Sequence, residues 1–436
     1  MKVIQSGYNQ VKKALQNKPN HVIIHTANIK ETVMTNNRIV NTNRGKQVVI
    51  AATLINFMTG MMYAWSIISK ALVEDHGWTS KEASLPYTIF TIAFPLAMVV
   101  FGKLQDEKGP RISGLLGSVL VGLGFILSGI FLDPFAMLLT IGVMAGAGVG
   151  IITISTAPPA IKWFHPSMKG KITGIVVAGV GLSALLYSPL GTFLVGSVGV
   201  ARTLLYIGVL VLPTTLFLAL KLENPPEGYD FDGFKAKADY VYSRDIQWRE
   251  MLGTSEFYKL WLMLGLSSSA GLMVISHISS IANIQSGWKA GFILVMVIAL
   301  FNSSGRIIGG SLSDRIGRIN TMRVLFLLQA ANMLLFRSAV SVPVMVVAAA
   351  LAGLCYGAGF SVFPAAVGDY YGTKYFGFNY GLLFSGWGLG GIIGPMTGAA
   401  IYDATGAYGP AFLVSFGLLL VSFLITLTFR KKKAVE

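Results

Sequence analysis

The sequence predicts an all-α membrane protein with twelve transmembrane helices in two six-helix bundles, and three observations lead to this prediction. Hydrophobic residues make up 53% of the 436 residues and charged residues only 12%, about half the charged share of a soluble domain. Long apolar stretches recur along the chain, separated by short polar breaks. Motifs of the first half return in the second half at a nearly constant distance.

The apolar stretches are read as helices because lipid offers the backbone no hydrogen-bond partner. The second stretch looks short for a crossing, and the fourth and eleventh are long enough to be tilted or bent. The twelve stretches lie at about 47–69, 85–102, 112–131, 134–160, 171–195, 202–220, 257–284, 291–313, 320–340, 342–368, 375–402 and 409–429.

These stretches divide the chain into five parts. The parts are a polar N-terminal extension (1–46), a first bundle (47–220), a central loop (221–256), a second bundle (257–429) and a basic tail (430–436). The extension has no hydrophobic core region and is not predicted to be a secretory signal. In the central loop a short surface helix is expected just before the seventh stretch.

The net charge of +15 is distributed unequally over the predicted loops. With an even number of crossings, both termini lie on one side, and alternation then places 28 basic residues on that side against 5 on the other, Arg306 excluded. The positive-inside rule makes the richer side cytoplasmic. The orientation of the chain in the lipid bilayer of the cell membrane therefore accounts for the net charge of +15, and no nucleic-acid partner is predicted.

The sequence carries no signature of a disulfide-stabilised protein, a metalloprotein or an enzyme. The chain has one cysteine, Cys355, which excludes an intramolecular disulfide framework or a cysteine-based metal site. We find no nucleophile–base set, Walker-type loop or metal-ligand cluster in the sequence. We therefore expect no enzyme activity, no metal and no cofactor.

Two sets of residues recur in the second half of the chain at a nearly constant offset, which indicates an internal repeat. After the second and eighth stretches, at an offset of 208 residues, stand Gly102 and Gly310, Asp106 and Asp314, Gly109 and Gly317. In the fifth and eleventh stretches, at an offset of 207 residues, stand Gly170 and Gly377, Gly174 and Gly381, Gly179 and Gly386, Gly181 and Gly388. Parallel six-helix repeats are typical of two-bundle transporters, whose site lies at the repeat interface.

Arg306 is the one charged residue within the eighth stretch. A guanidinium inside a bilayer costs a few kcal/mol or more unless a partner or water meets it, so such a residue usually faces a cavity. The alternative is that Arg306 extends to the interface, since Asp314 lies only about 12 Å further along the helix. Asn302 precedes it at i, i+4 and shares its face.

The repeated loop motif resembles the signature of the major facilitator superfamily. The copy at 310–318 fits well, and the copy at 102–111 departs from it because Glu107 stands where a basic residue is usual. The resemblance implies that a set of charged residues gates the cytoplasmic side by holding the bundles together in one state, the alternative being a solvated loop turn. These residues are Asp106, Arg111, Asp314, Arg315 and Arg318.

Four further segments are similar to the oxalate/formate antiporter and monocarboxylate transporter group. They are residues 60–66, 163–181, 301–318 and 402–408. The resemblance implies a secondary transporter of small monocarboxylates such as lactate, pyruvate or formate, with Arg306 binding the carboxylate and a co-transported proton expected. The alternatives are an oxalate/formate-type anion antiporter and a non-transporting ligand sensor on the same fold.

Two positions depart from the relatives. Asn302 stands where animal monocarboxylate transporters typically have aspartate, which puts an aspartate-based proton coupling in doubt. Trp387 stands where the oxalate exchanger has lysine. With Arg306 as the single fixed cation, the predicted site suits a monoanion better than a dianion.

Aromatic and ionisable residues complete the predicted substrate site. Tyr63, Tyr356 and Phe360 match positions that line the site in relatives, and Trp387 lies near them; ordinary helix packing is the alternative for each. His277 is a candidate for proton coupling because its pKa range is suitable. A hydrogen-bonded packing role is its alternative, and titration of the substrate–Arg306 site is another route for the proton.

Overall fold

A computed structural model describes residues 43–226, 229, 245–288 and 290–429. Contacts divide the chain into two compact units, Met1–Gln47 and Val48–Glu436. The predictions for residues 1–42, for most of the central loop and for the basic tail lie outside the described residues. The division of the second unit into two bundles stays a prediction.

The described residues are helical, and no strand occurs among them. The long helices are α1 (Asn43–His76), α2 (Ser80–Lys108), α3 (Pro110–Ile130), α4 (Pro134–Lys162), α5 and α6 (together Lys169–Ala219), α7 (Ser255–Ser286), α8 (Phe292–Ile316), α9 (Arg318–Ser338), α10 (Val342–Tyr371), α11 (Phe376–Thr405) and α12 (Gly409–Leu427). The expected short helix before α7 is confirmed as Trp248–Leu252.

A glycine separates α5 from α6. Gly199 has φ of 80° and ψ of 171°, a conformation that other residues rarely adopt, and it interrupts the run Lys169–Ala219. The helices on either side are α5 (169–198) and α6 (200–219). The sequence placed this connection at residues 196–201, and the structure confirms it.

The expectation of a short second helix is wrong, because α2 has 29 residues. Its start is set by a capping box in polar sequence. The Thr79 amide donates to Glu82 Oε2 at 2.8 Å, and the Glu82 amide donates to Thr79 Oγ1 at 3.2 Å. Apolar length alone does not detect such a polar first turn.

Ten segments of the described residues are long and apolar enough to cross a membrane. Pro166–Ala219 counts as one of them although it contains both α5 and α6, and α11 is not among them. Large apolar side chains are exposed along several helices, for instance Leu96 at 58%, Val100 at 68% and Phe193 at 70%. Such exposure is unfavourable in water and is expected in contact with lipid.

The repeat in the sequence reappears in the packing. Helix α2 packs against α11, and α5 packs against α8. Since α8 repeats α2 and α11 repeats α5, these two helix pairs are equivalent. Glycines bring both pairs into backbone contact, because a Cβ on Gly102 would lie 2.6 Å from Phe378 Cα and one on Gly170 would collide with the carbonyl oxygen of Gly310.

Candidate functional site

Arg306 lies on α8 at the contact with α5, and only 2% of its surface is exposed. Its Nε donates to Asn302 Oδ1 at 2.9 Å, one helical turn earlier. Its Nη1 donates to the backbone carbonyl of Val177 on α5 at 2.5 Å. The guanidinium is therefore buried between helices of the two repeats and does not extend toward the membrane–water interface.

The glycines of α5 allow this close contact. A Cβ on Gly174 would collide with the carbonyl oxygen of Arg306, and one on Gly181 would collide with the hydroxyl of Ser303. Both glycines belong to the set repeated at an offset of 207 residues. Their small size lets the α5 backbone act as a hydrogen-bond acceptor for a side chain of α8.

An aromatic wall covers the guanidinium. The Arg306 Cζ lies 4.6 Å from the centre of the Phe360 ring, within the range of a cation–π interaction. Tyr356 lies one turn before Phe360, with ring centres 5.2 Å apart, and Trp387 Nε1 donates to the Tyr356 hydroxyl at 2.8 Å. The structure thus brings together five residues that the sequence predicted for the site.

Three further rings belong to this wall and were not predicted. Phe384 stacks on Trp387 with ring centres 5.1 Å apart, and Tyr380 meets Phe384 at 5.5 Å. Phe94 of α2 contacts Trp387 edge-on at 5.6 Å. Tyr380 and Phe384 could have been predicted, because their i, i+4 spacing, and the i, i+3 spacing of Phe384 to Trp387, place the three rings on one face of α11. Nothing local in the sequence connects Phe94 with α11.

A pocket lined by residues of the second half of the chain adjoins the wall. Tyr356 and Phe360 contribute to its lining, together with Ser268 of α7 and Gln329 of α9. Arg306 and Asn302 do not line it. The two α10 rings therefore separate the guanidinium from a neighbouring space.

His277 belongs to a different cluster. Its Nε2 lies 3.0 Å from the carbonyl oxygen of Pro395 on α11, and its Nδ1 lies 3.3 Å from the Tyr408 hydroxyl. Its ring also packs on Tyr408, with centres 5.3 Å apart. These contacts join α7 to the second half of α11 and to the connection between α11 and α12, and they do not involve Arg306.

Two of the five residues expected to gate the cytoplasmic side, Asp314 and Asp106, form contacts between the repeats. In the Asp314 contact, Asp314 accepts the amides of Gly170 and Lys171 at the start of α5, at 2.9 and 2.7 Å. In the Asp106 contact, Asp106 accepts the amides of Gly377 and Phe378 at the start of α11, at 2.9 and 3.1 Å. Each aspartate thus stabilises the positive end of a helix dipole in the other half of the chain.

Side chains around the Asp314 contact form an ionic network. Arg318 donates to Asp314 Oδ1 at 2.5 Å and to Asp369 Oδ2 at 2.7 Å. Lys169 at the start of α5 donates to Asp369 Oδ1 at 3.1 Å. Sequence reasoning placed Arg318 here and missed Lys169 and Asp369, which lie about 200 residues apart.

Three predicted residues lie elsewhere or are not described in full. Arg111 pairs with Glu223 at 3.6 Å and not with Asp106. Arg315 is exposed at the end of α8. Tyr63 lies in the 3₁₀ segment Gly60–Ala64 of α1, and its side chain is outside the described part of the chain.

The repeated helices and the two glycine-lined contacts define a multi-pass membrane protein built from two related halves. A sequence profile of the Major Facilitator Superfamily matches residues 49–336 and 325–436. The chain therefore belongs to this superfamily of membrane transporters, which are not enzymes.

Known proteins of this superfamily are similar over most of the chain. The oxalate:formate antiporter of Oxalobacter formigenes is 28% identical over 386 residues, covering 87% of this chain and 90% of the relative. Monocarboxylate transporter 13 of Bos taurus is 25% identical over 343 residues, covering 76% of each chain. A crystal structure of the E. coli fucose:proton symporter superposes with a TM-score of 0.66 at 14% identity, covering 87% of this chain and 98% of that one. The likeness to the solved structure concerns the fold alone.

Proposed function

We propose that the protein is a secondary transporter of small monocarboxylates that works by alternating access. The observation that carries this proposal is the position of Arg306, a buried guanidinium between α8 and α5 beneath an aromatic wall. A planar guanidinium binds a carboxylate through two parallel hydrogen bonds. Asn302 orients the guanidinium for this role by accepting from its Nε.

Substrate binding and helix movement are linked through Val177. In this conformation the Val177 carbonyl of α5 accepts from Arg306 Nη1. A substrate carboxylate is a stronger acceptor than a neutral carbonyl, because the bond is then charged on both sides. Binding of the anion therefore competes with a bond that joins the two repeats, and it favours their rearrangement.

The wall favours a small monoanion. Trp387 occupies a place where a second cation would be needed for a dianion, and it holds the Tyr356 hydroxyl by a hydrogen bond. Burial among rings excludes water and strengthens the pair between Arg306 and a carboxylate. Lactate, pyruvate and formate fit this description.

The proposal also specifies the membrane topology and the coupling ion. Twelve crossings with both termini in the cytoplasm, in the cell membrane, agree with the excess of basic residues on one side. We infer proton coupling, with two routes: titration at the substrate–Arg306 site or involvement of His277. The contacts of His277 with Pro395 and Tyr408 favour the first route.

A second candidate function is oxalate/formate-type exchange. The 28% identity to the Oxalobacter formigenes antiporter favours it. Trp387 argues against it, since the indole offers a dianion no second positive charge. Counterflow of oxalate against formate in proteoliposomes decides between the two.

The proposal is tested by uptake of labelled lactate, pyruvate, formate and oxalate into proteoliposomes with and without a pH gradient. We expect saturable monocarboxylate uptake that is lost in Arg306→Ala and reduced in Arg306→Lys, because lysine keeps the charge but not the planar pair of donors. Arg337→Ala is the matched control, since it removes an exposed arginine at the end of α9. Undiminished uptake by Arg306→Ala contradicts the site assignment.

A further inference from the structure

The end of the central loop is fastened to the connection between α10 and α11. Asp245 Oδ1 accepts the amides of Thr373 and Lys374 at 3.0 and 3.1 Å. The next residue, Ile246, donates its amide to the Tyr371 carbonyl at 3.0 Å. We call residues 245–252, which include the short helix Trp248–Leu252, the loop anchor.

The loop anchor also contacts the first turn of α11. Asn379, which is fully buried, donates its Nδ2 to the Ile246 carbonyl at 2.9 Å. The ring of Trp248 packs against that of Phe378 with centres 5.5 Å apart. The anchor therefore holds α11 by its backbone connection and by two side chains of its first turn.

Phe378 belongs to the loop anchor's contact surface and to the Asp106 contact at once. Its ring meets Trp248, while its amide donates to Asp106 Oδ2 at 3.1 Å. Gly372, between α10 and the bonded amides, has φ of +79°, and a Cβ there would collide with Asp245. Asp245 thus lies against the turn that sets where α11 begins.

We propose that Asp245 is a positioning residue for closure of the cytoplasmic side, acting by holding the amino end of α11 where Asp106 can accept its amides. The inference rests on the proposed alternation between two open sides. An amide pair binds a carboxylate well only when both N–H groups point at it, so a displaced first turn weakens the Asp106 contact. The loop anchor therefore favours the closed state without touching the substrate site.

The test measures opening of the α2–α11 contact directly. Gln105, adjacent to Asp106, is 2% exposed, so Gln105→Cys in a Cys355→Ser chain is protected while the contact is closed. We expect Asp245→Ala to speed its labelling by a membrane-impermeant maleimide, added from the cytoplasmic side of inside-out vesicles, by about tenfold, as for loss of a charge-assisted hydrogen bond. Asp245→Asn, which keeps one acceptor oxygen, gives an intermediate rate. As a control, Asp75→Ala removes an exposed carboxylate at the C-terminal end of α1 and is expected to leave the labelling rate unchanged.

Unchanged labelling in Asp245→Ala overturns the inference. Unfolding is detected in a second chain that carries the same Asp245 substitution but keeps the native Cys355 as its single cysteine. Cys355 is buried in α10 and stays unlabelled while this chain is folded. If Asp245→Ala exposes Cys355, the rate for Asp245→Asn decides, and a wild-type rate there overturns the inference as well. Labelling needs no substrate, so the result is independent of whether monocarboxylates prove to be transported.

Discussion

The Asp314 contact and the Asp106 contact use the same backbone geometry with different support. Both aspartates accept two amides at the start of a helix in the other half. Asp314 is followed at i+4 by Arg318, which also pairs with Asp369. At the repeated position after Asp106 stands Pro110, so no arginine can serve there.

The Asp106 contact draws its support from other parts of the chain. Lys162 at the end of α4 lies within electrostatic range of Asp106. The loop anchor holds the helix start that Asp106 binds. The backbone interaction is therefore the same in both repeats, whereas the side chains that stabilise it differ, so each contact can be weakened separately.

The largest effect is expected for Arg318→Ala. It removes both ion pairs and leaves the carboxylates of Asp314 and Asp369 partly buried without that cation, which costs about 3–5 kcal/mol for a buried pair. We expect a marked fall in the Tm of the purified protein in detergent. Arg111→Ala is the control, because its pair with Glu223 is half exposed and such pairs contribute about 0–1 kcal/mol. Equal Tm changes for the two variants contradict this prediction.

A smaller difference is expected between Asp314→Asn and Asp106→Asn. Each variant weakens two amide hydrogen bonds, but Asp314→Asn also loses the pair with Arg318, a charged hydrogen bond that contributes about 1.5–3 kcal/mol. We expect initial uptake of the best substrate to fall about tenfold further in Asp314→Asn than in Asp106→Asn. The rates are compared in proteoliposomes at equal protein content. A lower rate in Asp106→Asn reverses the assigned ranking of the two contacts.

The smallest effect is expected for Lys169→Met. Asp369 keeps its bond to Arg318 when Lys169 is removed, so the change amounts to one hydrogen bond to a charged group at a partly buried site. We expect Tm to fall by less than half of the Arg318→Ala change. Lys171→Met serves as the control, because its side chain is exposed and only its backbone amide contacts Asp314. A larger fall than in Arg318→Ala means that Lys169 is the main cation of the network.

Much of the fold was readable from the sequence because apolar length and glycine repeats are local signals. The ends of ten helices, α3 to α12, and the break near Gly199 agree with the apolar stretches to within three residues, whereas α1 extends to His76, seven residues beyond its stretch. Helix α2 was misjudged because its capping box is polar. Helix α11 was found by its apolar run, although its eight glycines lower its hydropathy.

The candidate site was readable where helix spacing or the resemblance to the monocarboxylate group pointed to its residues. Asn302 follows from its i, i+4 spacing to Arg306, whereas the resemblance supplied Tyr356, Phe360 and Trp387 on other helices. The Val177 partner on α5 escaped detection, since a backbone carbonyl has no sequence signature. Lys169 and Asp369 were missed for a related reason, because their pairing depends on how α5 packs against the second half.

The glycine contacts at Gly102 and Gly170 have a consequence for electrical insulation. Where backbone meets backbone, no side chain remains that can change rotamer and open a path for water. A continuous water file would conduct protons across the bilayer and dissipate the gradient that drives a coupled carrier. In the proposed transport cycle, backbone contact at these surfaces would let the two halves change state without opening such a path.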